Sequence, residues 1–196
     1  MLFLQQNGVN LLILISHFQN QINSDYINTP HVIIRWEKTR AFLNNYKANT
    51  GLDIGDRTPF TDQLEFLFNC PFENTTFDLD EGKLEGEYDI VTAFEIIEHL
   101  FNPLHLLTEI AGILKDGGKL YLSTPKGKPY FLWSEDHFHE MRFDRLNSLI
   151  NRAGFSIIRY DEIRIHPLSF YFTGIRPLLR FIFEKHLLME LKLRNT

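Results

Sequence analysis

Short apolar runs alternate with stretches of helical periodicity in the middle of the chain. Residues 88–92 are an apolar run that predicts a buried strand, and a carboxylate-rich helix start follows it. Residues 104–114 repeat apolar positions at helical spacing and end at a Gly-Gly turn over 117–118. Residues 119–124 predict the next strand, which Pro125 closes. The order of strand, helix, turn and strand predicts a parallel β-α-β unit.

The flanking segments continue this alternation, so the chain predicts an α/β fold with a doubly wound, mostly parallel sheet covered on both faces. The further predicted elements are a helix from Pro30, with Thr29 as its N-cap, to about Tyr46, a strand over 51–55, a helix opening at Thr61, a β-rich run over 75–79, a helix over 144–153 ended by Gly154, and a strand over 155–160.

The C-terminal tail has a different pattern. Between Leu178 and Leu193, the apolar positions cover too wide an arc for a helix that lies on the surface. We expect this helix to pack against the core or a second subunit, and an anionic membrane surface is the alternative. The predicted organisation is an N-terminal helical arm over 1–49, a core over 50–163, and a basic, apolar C-terminal helical extension over 164–196.

Composition and charge narrow this picture only slightly. The 196 residues are 44% hydrophobic and 23% charged, as in an ordinary globular protein of one domain. The single cysteine, Cys70, excludes an internal disulfide, and the apolar patch over 9–15 is too short to span a membrane, so we expect a cytoplasmic protein. The net charge of −5 argues against nucleic-acid binding, although six basic and two acidic residues follow from Arg164 onward.

Three short motifs occur in a characteristic order. Residues 89–99 contain Asp-x-Val followed by Glu-x-x-Glu-His, residues 115–118 read Lys-x-Gly-Gly, and residues 123–125 read Ser-Thr-Pro. This combination resembles class I S-adenosylmethionine-dependent methyltransferases, nearest to the ubiquinone-pathway O-methyltransferase branch. The resemblance covers roughly residues 50–159. It implies a Rossmann-like methyltransferase fold, here shortened around strands two and three.

The resemblance also implies a cofactor loop after the first strand. Asp53 and Gly55 occupy the acid and first-glycine positions of that loop, so they are expected to contact S-adenosylmethionine. The second and third glycine positions hold Arg57 and Pro59. A long side chain and a missing backbone donor at these positions predict weak cofactor binding.

Two more pairs of residues are cofactor candidates under the same resemblance. Phe94 and Glu95 follow strand four and would flank the cofactor. Asp78 and Asp80 are alternatives for the acid that binds the ribose hydroxyls, because the segment before residue 89 is too short for the family's full set of elements. Both aspartates can equally be turn residues before Gly82.

The candidate chemistry rests on histidines and carboxylates. Glu95, Glu98 and His99 would share one face of a helix, where they suit a divalent metal or a general base. We favour an orienting role without a metal. His137 and His139 lie in an aromatic loop after strand five, where the family places substrate contacts, and either suits a base that deprotonates an acceptor hydroxyl.

The resulting hypothesis is an S-adenosylmethionine-dependent methyltransferase that acts on an oxygen of a small or membrane-associated acceptor. The expected partners are a small-molecule or lipid-linked acceptor and no nucleic acid, with a peripheral membrane contact or a homodimer through the C-terminal helix. The competing hypothesis is a catalytically inactive methyltransferase-like module that acts as an interaction subunit, which Arg57 and Pro59 favour.

Overall fold

Helices and strands alternate along the part of the chain that the computed structural model describes, residues 29–43 and 46–194. In chain order the elements are α1 Pro30–Phe42, β1 Gly51–Asp53, α2 Pro59–Phe68, β2 Phe72–Asn74, β3 Tyr88–Phe94, a 3₁₀ turn Ile97–His99, α3 Pro103–Ile113, β4 Leu114–Pro125, a 3₁₀ turn Tyr130–Leu132, α4 Phe143–Arg152, β5 Phe155–Ile163, α5 Leu168–Tyr171, α6 Ile175–Phe183 and β6 His186–Leu193.

Six strands form one sheet in the order β2-β1-β3-β4-β6-β5. The first four are mutually parallel, and β6 runs antiparallel to both of its neighbours. The predicted doubly wound, mostly parallel sheet is therefore confirmed. Within the described residues no sheet strand lies between Asn74 and Tyr88, which accounts for the shortened side of the sheet.

The sheet separates two apolar layers. On one face, Val91 and Ala93 of β3 belong to the same buried cluster as Leu107 and Ile110 of α3. On the other face, Ile90 of β3 packs in a smaller, aromatic cluster with residues of α2. Because successive residues of β3 point to opposite faces and both faces are covered, this strand is apolar almost throughout.

Several predicted boundaries shift for local reasons. The helix expected from Thr61 begins at Pro59, because Thr58 is its N-cap and forms a capping box with Thr61. Pro59 then occupies the first helical turn, where a backbone donor is not needed. The β-rich run expected over 75–79 is instead strand β2 over Phe72–Asn74, and α1 ends at Phe42 rather than near Tyr46.

The prediction of a C-terminal helix through Leu193 is wrong. The helical part ends at Phe183, and His186–Leu193 is a strand that lies between β4 and β5. Its first six residues are all buried. An inner strand covered on both faces has no polar side, so its apolar run imitates a helix that is apolar all round. The rest of the predicted arm and its apolar patch over 9–15 fall in residues 1–28, outside the described part of the chain.

No helix in the described part of the chain has the length and apolar character needed to cross a membrane.

Candidate active site

A cavity of about 580 Å³ lies where the carboxyl ends of β1 and β3 meet the loop after β4. One part of its lining, the cofactor wall, consists of residues 53–56, Thr58, residues 94–96 and Glu98. A second part, the C-terminal wall, consists of Arg35 of α1 together with His166, Arg180, Glu184 and His186. Ligands of doubly wound sheets bind at this edge of the sheet, so the position of the cavity agrees with a binding site.

The start of the cofactor wall is built around Asp53. Its two carboxylate oxygens accept hydrogen bonds from the hydroxyls of Thr61 and Thr92, each at 2.6 Å. Burial raises the pKa of this carboxyl, although the hydrogen bonds act in the opposite direction. Gly55 follows with a φ of +100°, a conformation that side chains disfavour, so the predicted glycine position is used for a turn beside the cavity.

Arg57 and Pro59 do not obstruct this loop. The Arg57 guanidinium turns outward and pairs with Asp62 at 2.6 Å and Glu65 at 2.7 Å, and neither Arg57 nor Pro59 lines the cavity. Residues 56–59 all have negative φ, so this loop needs a glycine only at Gly55. The steric argument for weak cofactor binding therefore loses its basis.

The two candidate ribose ligands lie in a turn away from the cavity. The Asp80 carboxylate accepts hydrogen bonds from the backbone N–H groups of Phe101 and Asn102, at 3.1 and 2.7 Å. Asp78 accepts a bond from the Asp80 N–H, and its carbonyl accepts one from Gly82. Neither aspartate lines the cavity. Their geometry favours the turn interpretation over a ribose contact.

Glu95 links the two walls. It has a φ of +56°, a strained conformation for a residue with a side chain, directly after β3. Its carboxylate lies 2.7 Å from His186 Nδ1 and 3.4 Å from Arg35, and it accepts a hydrogen bond from Ser123. Burial opposes ionisation of Glu95, but His186, Arg35 and the hydrogen bonds outweigh it and lower the pKa to about 2. Phe94, the other predicted residue here, lines the cavity beside it.

Glu98 and His99 do not share a helix face with Glu95, because the chain forms a 3₁₀ turn there. Glu98 is fully buried; its Oε2 accepts a hydrogen bond from Thr124, and its Oε1 has no hydrogen-bond partner. Burial, followed by the charge of Glu95, raises its pKa well above the usual range. Ligand atoms of Glu98, His99 and His137 lie within 4.8 Å of one another, so these three residues could hold a metal ion.

The loop that carries His137 and His139 places these two candidate bases in different surroundings. The Glu98 carbonyl accepts hydrogen bonds from the N–H groups of Phe138 and His139, which hold this loop against the cavity. His137 lines the cavity, and its Nδ1 donates to the Glu140 carboxylate at 2.8 Å. The His139 ring lies outside the cavity, with its Nε2 3.4 Å from the Phe101 carbonyl. The structure therefore favours His137 over His139.

Glu140 is the support of His137 and was not predicted. It is buried, and the same oxygen that accepts from His137 lies 3.1 Å from Lys128 Nζ. Because a carboxylate fixes Nδ1–H, the Nε2 of His137 remains as an acceptor. His99 is oriented in a similar way, with Nδ1 donating to the Asp136 carbonyl at 3.0 Å.

Sequence patterns gave no sign of the C-terminal wall. His166 and His186 look isolated along the chain, yet the structure brings both to Glu184, with Nε2 atoms 3.4 and 3.9 Å from its Oε1. Although burial opposes protonation of His186, Glu95 and Glu184 raise its pKa to about 9. The signal that could have found this wall is the pairing of acids and cations within the apolar tail, where Arg180 and Glu184 are four residues apart.

Comparison with known proteins agrees with the fold. Residues 34–160 match the family model of a methyltransferase domain. Because the match spans more than half of the chain, the chain belongs to this methyltransferase family, and the predicted family is confirmed.

Three known proteins illustrate the similarity. A stretch of 83 residues is 40% identical to the ubiquinone biosynthesis O-methyltransferase of Dechloromonas aromatica, covering 41% of this chain and 36% of that protein. The N-methyltransferase NodS of Bradyrhizobium japonicum, solved with S-adenosyl-L-homocysteine, superposes with a TM-score of 0.65 at 11% identity, covering 93% of this chain and 98% of that one. A Haloferax volcanii complex between the Trm112 methyltransferase activator and a methyltransferase gives a TM-score of 0.63 at 16% identity, covering 95% and 97%.

The solved structures and the curated relatives support different conclusions. At such low identities the solved structures show the shared fold alone. The chain spans about a third to a half of the length of the curated relatives that it matches.

Proposed function

We propose that this chain is an S-adenosylmethionine-dependent methyltransferase that transfers a methyl group to an oxygen atom of a small acceptor. The observation that carries the proposal is that one cavity contains both the cofactor wall and the oriented imidazole of His137. A methyl transfer to oxygen needs a cofactor site and a nearby acceptor for the hydroxyl proton, and the cavity offers both.

The cofactor wall suits a ligand with a charged amino-acid end, a ribose and an adenine ring. Asp56 offers a carboxylate that suits an ammonium group or hydroxyls, and the apolar side chains of Phe60, Phe94 and Ile96 suit a planar ring. The tight turn at Gly55 brings the backbone beside the cavity without a side chain. The bound cofactor would supply a methyl group on a positively charged sulfur.

His137 is the best candidate for the base. Its Nε2 would take the proton from the acceptor hydroxyl as the new carbon–oxygen bond forms and the carbon–sulfur bond breaks. Glu140 holds the ring in the required tautomer and stabilises the imidazolium that results. Positioning supplies much of the rate of such an in-line displacement, so a moderate base is sufficient.

Glu98 and His99 lie beside His137 and have one of two roles. Burial raises the pKa of Glu98 and so favours its neutral form, in which the unpartnered carboxyl oxygen could donate a hydrogen bond to an acceptor oxygen, with His99 as an orienting group. Alternatively, the two residues and His137 hold a divalent ion, which requires Glu98 to ionise. We favour the first arrangement, because burial and the charge of Glu95 oppose the ionisation of Glu98 that a metal ion would require.

Oxygen as the methylated atom is supported by the ubiquinone biosynthesis O-methyltransferases among the relatives. A lipid-linked acceptor and a peripheral membrane contact are supported by the apolar surface of α5 and α6. Leu168, Phe172 and Ile175 on this surface are 70%, 83% and 80% exposed.

The second candidate function is a methyltransferase-like interaction subunit without catalysis. The same apolar surface is the observation that favours it, since a surface of this kind is typical of protein contacts, including a homodimer. The Haloferax volcanii relative in complex with the Trm112 activator provides a precedent for a partner protein. The outward position of Arg57 removes the earlier argument that the cofactor site is blocked.

Titration calorimetry with S-adenosylhomocysteine tests the proposal. The matched variants are Gly55→Ala, which places a side chain at a φ of +100° and 3.4 Å from Ile96, and Gly112→Ala, which meets no atom within 4 Å. We expect one-to-one binding by the wild type and by Gly112→Ala, and binding weakened by about tenfold or more in Gly55→Ala. A folded wild-type protein that does not bind would refute the enzyme proposal and favour the interaction subunit.

A further inference from the structure

A second cavity of about 470 Å³ adjoins the large one and has no role in the proposed function. The two cavities share three lining residues, His31, His166 and Arg180. A ligand in the second cavity would therefore lie directly beside the C-terminal wall.

The second cavity combines apolar rings with positive charge. Pro30, Pro167 and Phe170 form an apolar lining, and the Phe170 ring stacks on His166 with centroids 4.1 Å apart. Arg176 and Arg180 also line it. Among the described residues that line this cavity none is acidic, whereas the large cavity contains several carboxylates.

The two arginines differ in their ion pairing. Arg180 is paired with Glu184 at 2.7 Å, so its charge is already balanced. Arg176 is exposed and forms no ion pair within the described part of the chain. A guanidinium beside an apolar lining and without a counter-charge suits a carboxylate or a phosphate.

The backbone adds to this preference. Helices α1 and α6 both begin at the second cavity, with Pro30 and His31 in the first turn of one and Arg176 and Pro177 in the first turn of the other. The positive ends of two helix dipoles therefore reinforce the charge of Arg176.

We propose that the second cavity binds an anionic group, a carboxylate or a phosphate, that the methyl acceptor carries on an aromatic or similarly apolar body. The apolar body would lie against Phe170 and the prolines, the anionic group would pair with Arg176, and the hydroxyl to be methylated would extend into the large cavity toward His137. This inference rests on the proposed function and names the class of its acceptor.

The test uses three probes with the same 2-naphthyl ring and different charge: 2-naphthoate, 2-naphthyl phosphate and the neutral 2-naphthamide. Each is titrated calorimetrically into the full chain with S-adenosylhomocysteine present. We expect at least one of the two anions to bind about tenfold more tightly than the amide, as a charge-assisted pair predicts. The tighter of the two anions identifies the anionic group. Equal binding of all three probes would overturn the proposal.

Two variants locate the effect. Arg176→Gln should weaken binding of the preferred anion by about tenfold and leave binding of the amide unchanged. Arg152→Gln, an exposed position at the end of α4 that lines neither cavity, is the matched control and should bind like the wild type. Anion binding that survives Arg176→Gln would contradict the assignment.

The test of the second cavity and the test of the proposed function can fail independently. S-adenosylhomocysteine binding without a preference for anions refutes only the second cavity. Anion binding that depends on Arg176, in a protein that does not bind S-adenosylhomocysteine, supports the anion site and refutes the methyltransferase.

Discussion

The two walls of the large cavity differ in how far apart their residues lie in the sequence. The cofactor wall comes from two short segments, 53–58 and 94–98, each directly after a parallel strand. The C-terminal wall combines α1 with residues beyond 165, and its central contact joins Glu95 to His186 across 91 positions of sequence. A local motif can reveal the first kind of wall, whereas only the folded sheet reveals the second.

The difference also separates two kinds of chemistry. The cofactor wall has a glycine turn and apolar rings, features that suit the binding of a ligand. The C-terminal wall is a polar network in which the buried Glu184 contacts Arg180, His166 and His186. Such a network fixes the position of Glu95 and thereby the shape of the cavity, provided that β6 is in the sheet.

Removal of β6 should have the largest effect, because it should destroy the C-terminal wall and the fold together. Truncation after Phe183 deletes the strand between β4 and β5 together with Glu184 and His186. We expect the product to aggregate or to lack a cooperative unfolding transition, because the core loses an inner strand and β4 and β5 lose their shared partner. Truncation after Arg194 is the control and should unfold like the full chain. A soluble, cooperatively folded protein ending at Phe183 would contradict the position of β6.

The fold was largely predictable from sequence, and the site only in part. Apolar periodicity revealed β3, α3 and β4, because covered parallel strands and amphipathic helices leave local patterns. The same reasoning failed for His186–Leu193, since a buried strand and a buried helix share one pattern in a short apolar run. Glu140 and His186 were missed because their roles depend on partners that the chain brings together only on folding.

Loss of the base should have the next largest effect. We expect His137→Ala to lower the rate of methyl transfer by about 10²- to 10⁴-fold, as removal of a general base does. The measurement follows transfer of radiolabelled methyl groups from S-adenosylmethionine to an acceptor found by screening phenols. His139→Ala is the matched control, because its ring lies outside the cavity.

The same assay distinguishes the two roles of Glu98 and His99. Turnover should persist in the presence of a chelator if Glu98 is a neutral donor. Turnover lost with the chelator and restored by Mg²⁺ would instead identify Glu98, His99 and His137 as metal ligands. A His139→Ala protein as impaired as His137→Ala would contradict the choice of base.

The charge network of the C-terminal wall should be visible in the pH dependence of stability. The pKa of His186 is raised to about 9 in the folded protein, so its contribution to stability is complete below the unfolded-state pKa of about 6.5 and is lost as the pH rises through 9. We expect the free energy of unfolding to fall by up to about 3 kcal/mol between about pH 6.5 and 9.5.

The His186→Gln variant should have a much flatter profile over this range when unfolding is followed in urea. His105→Gln is the control, because that ring contacts the Gly82 carbonyl and does not line the cavity. A His186→Gln profile as steep as that of the wild type would mean that His186 does not carry the charge assigned to it.

The smallest effect is expected at Arg57. Since its guanidinium pairs with Asp62 and Glu65 outside the cavity, Arg57→Gly should change the affinity for S-adenosylhomocysteine by no more than about twofold. Calorimetry with the wild type as reference measures this difference. A large gain in affinity would restore the steric argument from the sequence, and a complete loss would make Arg57 a ligand.

Hydrogen exchange with and without S-adenosylhomocysteine tests the central claim most directly, namely that the cofactor wall is the cofactor site. The account predicts slower exchange of backbone amides over 54–58 and 94–98 when the ligand is present, with little change over 168–183. Unchanged exchange in both segments of the cofactor wall, in a protein that binds the ligand, would contradict it.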